Sequence, residues 1–373
     1  MKDLVLDQKT NLVLSGKDRL SNIFISGYPS SGIATYLCKL ISQDTVSRTP
    51  CLVLDPYGDL KESIENNLSE ADKTNIMFYK VGDKLKNLSL NIFNIKGISD
   101  SQKAQSVIDL FIDLYDPNRQ GIIGPRFEQA IRNAVLLLLV DDAPDFHKLS
   151  EIFIDPEYVR SLLPKVNNDL VKSYWLKHLE QISDLQKSEI NNYILTKFTP
   201  LLTDEVIKNV IEGNDNVPFE EYFSEGKTVI FDLGNVSADR QKYTVITTLI
   251  MSYIEKYIFS KSKNQKLVLY LDEVQMLNSK RLSKISELGK RVGLSLTFVT
   301  SRIGKLNNDI LYEVSRFGTK VSFRQMGEDI EVSEKLFVQD ELNHIKTSTM
   351  KRFHAYIQTL KDGEIQPIVV IET

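Results

Sequence analysis

Residues 22–35 read Asn-Ile-Phe-Ile-Ser-Gly-Tyr-Pro-Ser-Ser-Gly-Ile-Ala-Thr: an apolar strand-like run, a loop bracketed by Gly27 and Gly32, then the start of a helical pattern. Few features restrict a fold more. A strand that turns tightly into a helix is the opening of a parallel-sheet unit, because parallel strands need a crossover connection. The frame is that of a phosphate-binding loop, G-x-x-x-x-G, with two positions altered. In a working loop the second glycine is followed by Lys, which reaches the β- and γ-phosphates, and by Ser or Thr, whose hydroxyl ligates Mg²⁺. Here those positions hold Ile33 and Ala34. Gly27, Ser30, Ser31, Gly32, Ile33, Ala34 and Thr35 are the candidate cofactor-binding residues, with backbone N–H groups and a helix N-terminus still able to face a phosphate. The same glycines also permit a turn that holds no ligand.

The strand and helix alternation continues through residue 80. Residues 51–54 and 75–80 are strand-like, and 35–42 and 59–68 have helical spacing, which predicts a parallel sheet covered by helices. From about 101 to 215 strand signals vanish. The segments 106–115, 126–140, 157–163, 168–182, 185–198 and 204–211 carry apolar residues at i, i+3 and i+4. Turn-rich stretches at 117–125 and 213–218 bound this all-helical insertion. Alternation then resumes, with strands at 228–232, 267–271, 294–300 and 320–323 and helices at 243–259, 280–292 and 310–317. A hairpin of 354–359 and 365–371 closes the chain. The expected organisation is an α/β core begun by 1–100, interrupted by a helical insertion at 101–217, and completed by 218–373.

Charge separates these segments more than composition does. Net charge is −4, but 101–225 sums to −9 and 226–373 to +5, so the insertion is acidic and the second core segment basic. Between Lys280 and Arg324 stand ten Lys or Arg against three Asp or Glu. Two readings stand: a surface for a polyanion such as DNA, or a solvated face of charged helices. Cys38 and Cys51 sit in apolar runs and read as core, and no signal-peptide pattern opens the chain; a reducing, cytoplasmic setting is expected. The longest apolar run, 134–140, falls far short of the ~20 residues of a membrane span. His147, His178, His344 and His354 are too scattered for a metal-ligand pair. Trp175, the sole tryptophan, reads either as an interface anchor or as the aromatic closing the helical bundle.

Chemistry concentrates at Asp272 and Glu273, which end the apolar run 267–271. An acidic pair at the carboxyl end of a buried strand serves a phosphate-loop enzyme in two roles. The Asp holds Mg²⁺, and the Glu orients and deprotonates the attacking water. The alternative is an exposed acidic turn. Asp55 ends the strand 51–54 and opens Asp-Pro-Tyr-Gly-Asp; it reads as an auxiliary acid or as a turn cap. Ser301 and Arg302, following 294–300, either face a γ-phosphate from a neighbouring strand tip or begin a loop.

The order and spacing of these segments resemble the FtsK/HerA-type DNA-pumping ATPases, and among them the conjugation-type coupling ATPases of type IV secretion. The resemblance runs through 27–35, Asp55-Pro-Tyr-Gly-Asp-Leu60, 125–135, 218–233, Leu269-Tyr-Leu-Asp-Glu-Val-Gln275, 289–294, 316–324 and the tail near 362–364, from about residue 10 to the end. It implies a RecA-like core with ATP and Mg²⁺ as cofactors, Asp272 as the metal-side acid, Glu273 as general base and Asp55 as an auxiliary acid. Lys290 and Arg291 match a basic pair that completes a neighbour's site across a ring, in the order Lys-Arg where the family has Arg-Lys. Ser301 stands where the family commonly has a Gln. The implied partners are copies of itself or an active paralogue in a hexameric ring, DNA, and a secretion-system or membrane partner on the acidic insertion. That last contact would place the chain at the inner membrane periphery. Replacing the Lys and hydroxyl removes stabilisers each worth ~3 kcal/mol of transition-state energy, so the expectation is a hydrolysis-impaired subunit with weak or absent nucleotide binding. An active translocase with a non-standard loop and an adaptor keeping only the fold are the alternatives.

Overall fold

The computed structural model describes residues 1–82, 88–180, 183–213, 217–260, 266–338 and 345–373, without the side chains of 184, 186 and 256–260. The middle of the 213–218 turn, the end of the 168–182 helix and His344 lie outside the described residues.

The strands in chain order are β1 (Leu4–Asp7), β2 (Leu12–Leu14), β3 (Ile23–Ser26), β4 (Cys51–Asp55), β5 (Ile76–Lys80), β6 (Thr228–Asp232) and β7 (Leu267–Leu271). They continue with β8 (Leu294–Thr300), β9 (Thr319–Ser322), β10 (His354–Gln358), β11 (Leu360–Lys361), β12 (Glu364–Ile365) and β13 (Val369–Glu372). Nine of them form one sheet in the order β13-β10-β9-β3-β8-β7-β4-β6-β5. Pairing is parallel from β9 to β5, and β10 and β13 add antiparallel at one edge. Helices flank this mostly parallel sheet. Every residue of β3, β4, β6, β7 and β8 is buried, which is why these strands read as unbroken apolar runs. Cys38 and Cys51 are free thiols in this core. The C-terminal hairpin is present, with β10 on β13 and β11 on β12.

Topology fixes where the candidate residues meet. β8 lies between β3 and β7, so the glycine loop after β3 and the acidic pair after β7 stand two strand spacings apart, ~10 Å. Both are at carboxyl strand ends, where open α/β sheets place their ligands. Residues before a strand, such as Lys290 and Arg291 before β8, stand at the other end.

The chain divides into two compact units. The first contains Met1–Val81, Pro218–Ala238 and Tyr257–Thr373; the second contains Gly82–Val217 and Asp239–Lys256. The helical unit therefore takes in more than the 101–217 segment, notably most of the Arg240–Ser260 helix. The reason is local bonding: Tyr253 Oη donates to the Asn91 carbonyl, Thr248 Oγ1 to Asp113, and Lys242 pairs with Asp204 at 2.8 Å. A ring cluster fills this unit, with Phe111 5.2 Å from Phe127 and 4.9 Å from Phe198. Trp175 is 1% exposed and donates Nε1–H to the Asn133 carbonyl; it closes the bundle and presents no anchor. Among the described residues no helix is long and apolar enough to cross a membrane.

Candidate nucleotide site

β3 ends in the loop, and Ile33–Ser47 follows as a helix capped by Gly32. Gly32 has φ +123°, and a Cβ there would lie 3.1 Å from both Phe323 and Phe353, so only glycine fits. Ser30 also adopts a left-handed conformation, φ +64°. The loop's first amides are already committed: Gly27 N–H donates to the Thr300 carbonyl, Tyr28 N–H to Arg324 at 2.7 Å, and Ser31 N–H to Tyr28. The helix N-terminus that follows retains its electropositive end.

The altered side chains are placed clearly. Ile33 is half-buried, with its Cδ1 3.2 Å from where a Cβ on Gly27 would sit, and it packs on the sheet core. It folds back under the loop. Ala34 and Thr35 are exposed, Ala34 without the hydroxyl a Mg²⁺ would need. The next cation along the helix, Lys39, stands six positions beyond Ile33, more than a helical turn from the place of the lost lysine.

Glu273 is 5% exposed and held rigidly. Its backbone is left-handed at φ +47°, and Oε2 accepts from the Gln275 side-chain amide and from Ser301 N–H at 3.1 Å. Gln275 Oε1 in turn accepts from Thr300 Oγ1 at 2.7 Å. A glutamine amide thus stands at the β8 tip, supplied by the neighbouring strand's exit and not by position 301. Ser301 contributes its backbone amide.

Asp272 Oδ1 accepts the Glu273 amide. Burial first, then the Glu273 charge and those of Asp55 and Asp59, push its carboxyl up to about 8. Asp55 is fully buried; its Oδ1 accepts from Tyr57 and Gly58 and its Oδ2 from Leu60. Both oxygens accept from the turn. Gly58 is obligatory there, with φ +73° and Asp232 Oδ1 2.3 Å from a would-be Cβ. Burial pushes Asp55 up to about 6 against the Leu60 and Gly58 amides.

These shifts predict a pH dependence. An unfolded Asp releases its proton near 3.8, whereas the folded chain keeps one on Asp272 up to about 8 and on Asp55 up to about 6. Between those values the folded state binds more protons, so stability falls as pH rises. Denaturation midpoints should decline from pH 5 to 9 in the wild type and much less in Asp272→Asn. Equal slopes in the two proteins would remove Asp272 as the cause.

Lys290 and Arg291 do not join the site. They line a cleft of about 500 Å³ at the amino ends of β3, β8 and β9, together with Asn22, Tyr312 and Arg316. The basic stretch is likewise divided, since Arg291 and Arg302 flank opposite ends of β8. Sequence reasoning had no role for Gln275, although a polar residue two places after the Glu was a visible signal. It also missed the loop contacts of Arg324, Arg352 and Phe353, which arrive from far along the chain and leave no local signal.

Solved structures share this fold. The bacterial conjugative coupling protein TrwB, unbound, superposes with TM-score 0.64 at 14% identity, over 100% of this chain and 89% of that one. VirB4 of Thermoanaerobacter pseudethanolicus does so with TM-score 0.62 at 15% identity, over 99% and 95%. The chain has the coupling-protein fold. A plasmid coupling protein TrwB in complex with ADP and Mg²⁺ matches with TM-score 0.63 at 13% identity, over 100% and 89%. No protein-family model and no curated protein matches the sequence, and at these identities the likeness is one of fold.

Within the coupling-protein fold, this loop fits one part of Mg-ATP and not the other. Its glycines and helix N-terminus fit a phosphate. The donor set for Mg²⁺ does not, because the hydroxyl that the loop would supply is absent at Ala34.

Proposed function

We propose that this chain is a hydrolysis-impaired ring subunit of a type IV secretion or conjugative-transfer apparatus. The observation that carries the reading is Ile33, folded under the loop against Gly27 where a lysine would extend to phosphate, beside a bare Ala34. The general-base position is kept: Glu273 is buried and doubly held. A subunit of this kind occupies a place in the ring and offers Lys290 and Arg291 to a neighbouring copy or active paralogue. DNA is held by basic residues drawn from the Lys280 to Arg324 stretch, and the acidic helical unit docks a secretion or membrane partner. The coupling protein solved with ADP and Mg²⁺ supports nucleotide as the relevant ligand class.

The test is ATP turnover of the purified chain, alone and with DNA, beside its Glu273→Gln variant. The expected result is the same background rate in both. A rate of ~1 s⁻¹ or more, abolished by Glu273→Gln, would make the chain an active translocase.

A further inference from the structure

We infer that Arg352 supplies, within the same chain, the cation that the loop lacks, making it a Mg²⁺-independent site for the phosphates of a nucleoside di- or triphosphate. The inference deepens the reading above and rests on the loop taking a phosphate at all.

The C-terminal segment lies directly on the loop. Phe353 N–H donates to the Ser31 carbonyl at 2.7 Å, and Arg352 Nε–H donates to the Ser30 carbonyl at 3.1 Å. The Phe353 ring abuts Gly32 and lies 4.6 Å from the Arg352 guanidinium. Nε is thus fixed to the loop while the two terminal nitrogens remain, and among the described residues no carboxylate pairs with Arg352. A guanidinium presents its donors in a planar fork that matches phosphate oxygens, and it stays charged at any working pH.

Two further atoms point to an anion. Ser31 is 0% exposed, yet its Oγ has no partner; it lies inside the loop, 3.0 Å from a would-be Gly27 Cβ. Arg324, whose carbonyl takes the Tyr28 amide, has a buried Nε without a partner. Buried donors left unpaired are costly, and a phosphate oxygen is an acceptor of the kind each lacks. Ser30 and Phe353, facing each other across the contact, both hold left-handed backbone, φ +64° and +62°. With Arg352 beside the loop and no hydroxyl at position 34 to ligate Mg²⁺, the site takes phosphate charge without metal.

Equilibrium binding of ADP, ATP and inorganic tripolyphosphate is measured in EDTA and in Mg²⁺ for the wild type, Arg352→Ala, Arg352→Lys and Lys361→Ala, each checked for folding by circular dichroism. Lys361 is an exposed cation away from the loop. The expected result is nucleotide binding that survives EDTA, weakens at least tenfold in Arg352→Ala, recovers partly in Arg352→Lys and is unchanged in Lys361→Ala. Competition by tripolyphosphate shows that the phosphates suffice. Unchanged affinity in Arg352→Ala overturns the role of Arg352, as does tighter binding, which would make the segment a plug. Binding that vanishes in EDTA, or no wild-type binding at all, overturns the site while leaving the hydrolysis-impaired reading intact.

Discussion

Changing Ile33→Lys and Ala34→Thr together is expected to raise ATP turnover by ~10²-fold or more in the presence of Mg²⁺. The gain follows from what the rest of the site keeps. Glu273 is already oriented by Gln275 and Ser301, the glycines of the loop are in place, and Asp272 stands at the adjoining strand tip. What is missing is a cation on the transferring phosphoryl group and a hydroxyl on the metal, and removing one such stabiliser costs ~10²–10³ in rate. Either change alone should return little, because groups that act on one charge act as a unit. Ile33 is only half-buried, so a lysine stem can leave the core contact and extend along the helix N-terminus. Adding Glu273→Gln to the double variant should return turnover to background. A double variant that binds Mg-nucleotide tightly but still fails to turn over would move the defect elsewhere, to Ser301 or to the basic pair of a neighbouring copy.

The sheet was legible because its strands are buried on both faces: the stretches 228–232, 267–271 and 294–300 coincide with β6, β7 and β8. The order of those strands was not, since a parallel sheet stores its neighbours in crossovers that carry no local pattern. Only the topology shows that the loop and the acidic pair flank β8. β1 and β2 are four and three residues long, too short for a period of two to stand out. The Arg240–Ser260 helix reads as core by its position after β6, yet its partners Asn91, Asp113 and Asp204 lie in the helical unit. At the site, side chains next to the motifs were legible and those folding back from the C-terminus were not. At Asp55 the motif offers two roles, auxiliary acid and turn cap; three backbone N–H groups make it a cap, and the β4 tip sets it beside Asp272.

Asp44→Ala is expected to destabilise the sheet unit by ~3–5 kcal/mol, the effect of breaking a buried ion pair by removing one partner. Arg19 is 0% exposed and Asp44 1%. The contact is bidentate, Arg19 Nη1 to Asp44 Oδ1 at 2.7 Å and Nη2 to Oδ2 at 2.5 Å, and Tyr270 Oη also donates to Oδ2 at 2.7 Å. One carboxylate thereby joins the turn before β3, the helix after the loop and the strand that leads into Asp272. Arg19 itself is held further by donating to the Lys2 carbonyl at 3.1 Å. Without Asp44 the guanidinium stays buried with its charge uncompensated, and Tyr270 loses the acceptor for its hydroxyl. The same structure predicts a rescue. Arg19→Met with Asp44→Leu and Tyr270→Phe removes the three polar side chains at once, leaving only the Lys2 carbonyl without its donor, and replacing a buried ion pair by apolar side chains of similar size is often neutral or stabilising. Urea denaturation of the single and triple variants measures both halves of the argument. A loss below ~1 kcal/mol in Asp44→Ala would show that water reaches Arg19, and a triple variant no more stable than the single would show that the pair fixes the packing of the three elements as well as their charge.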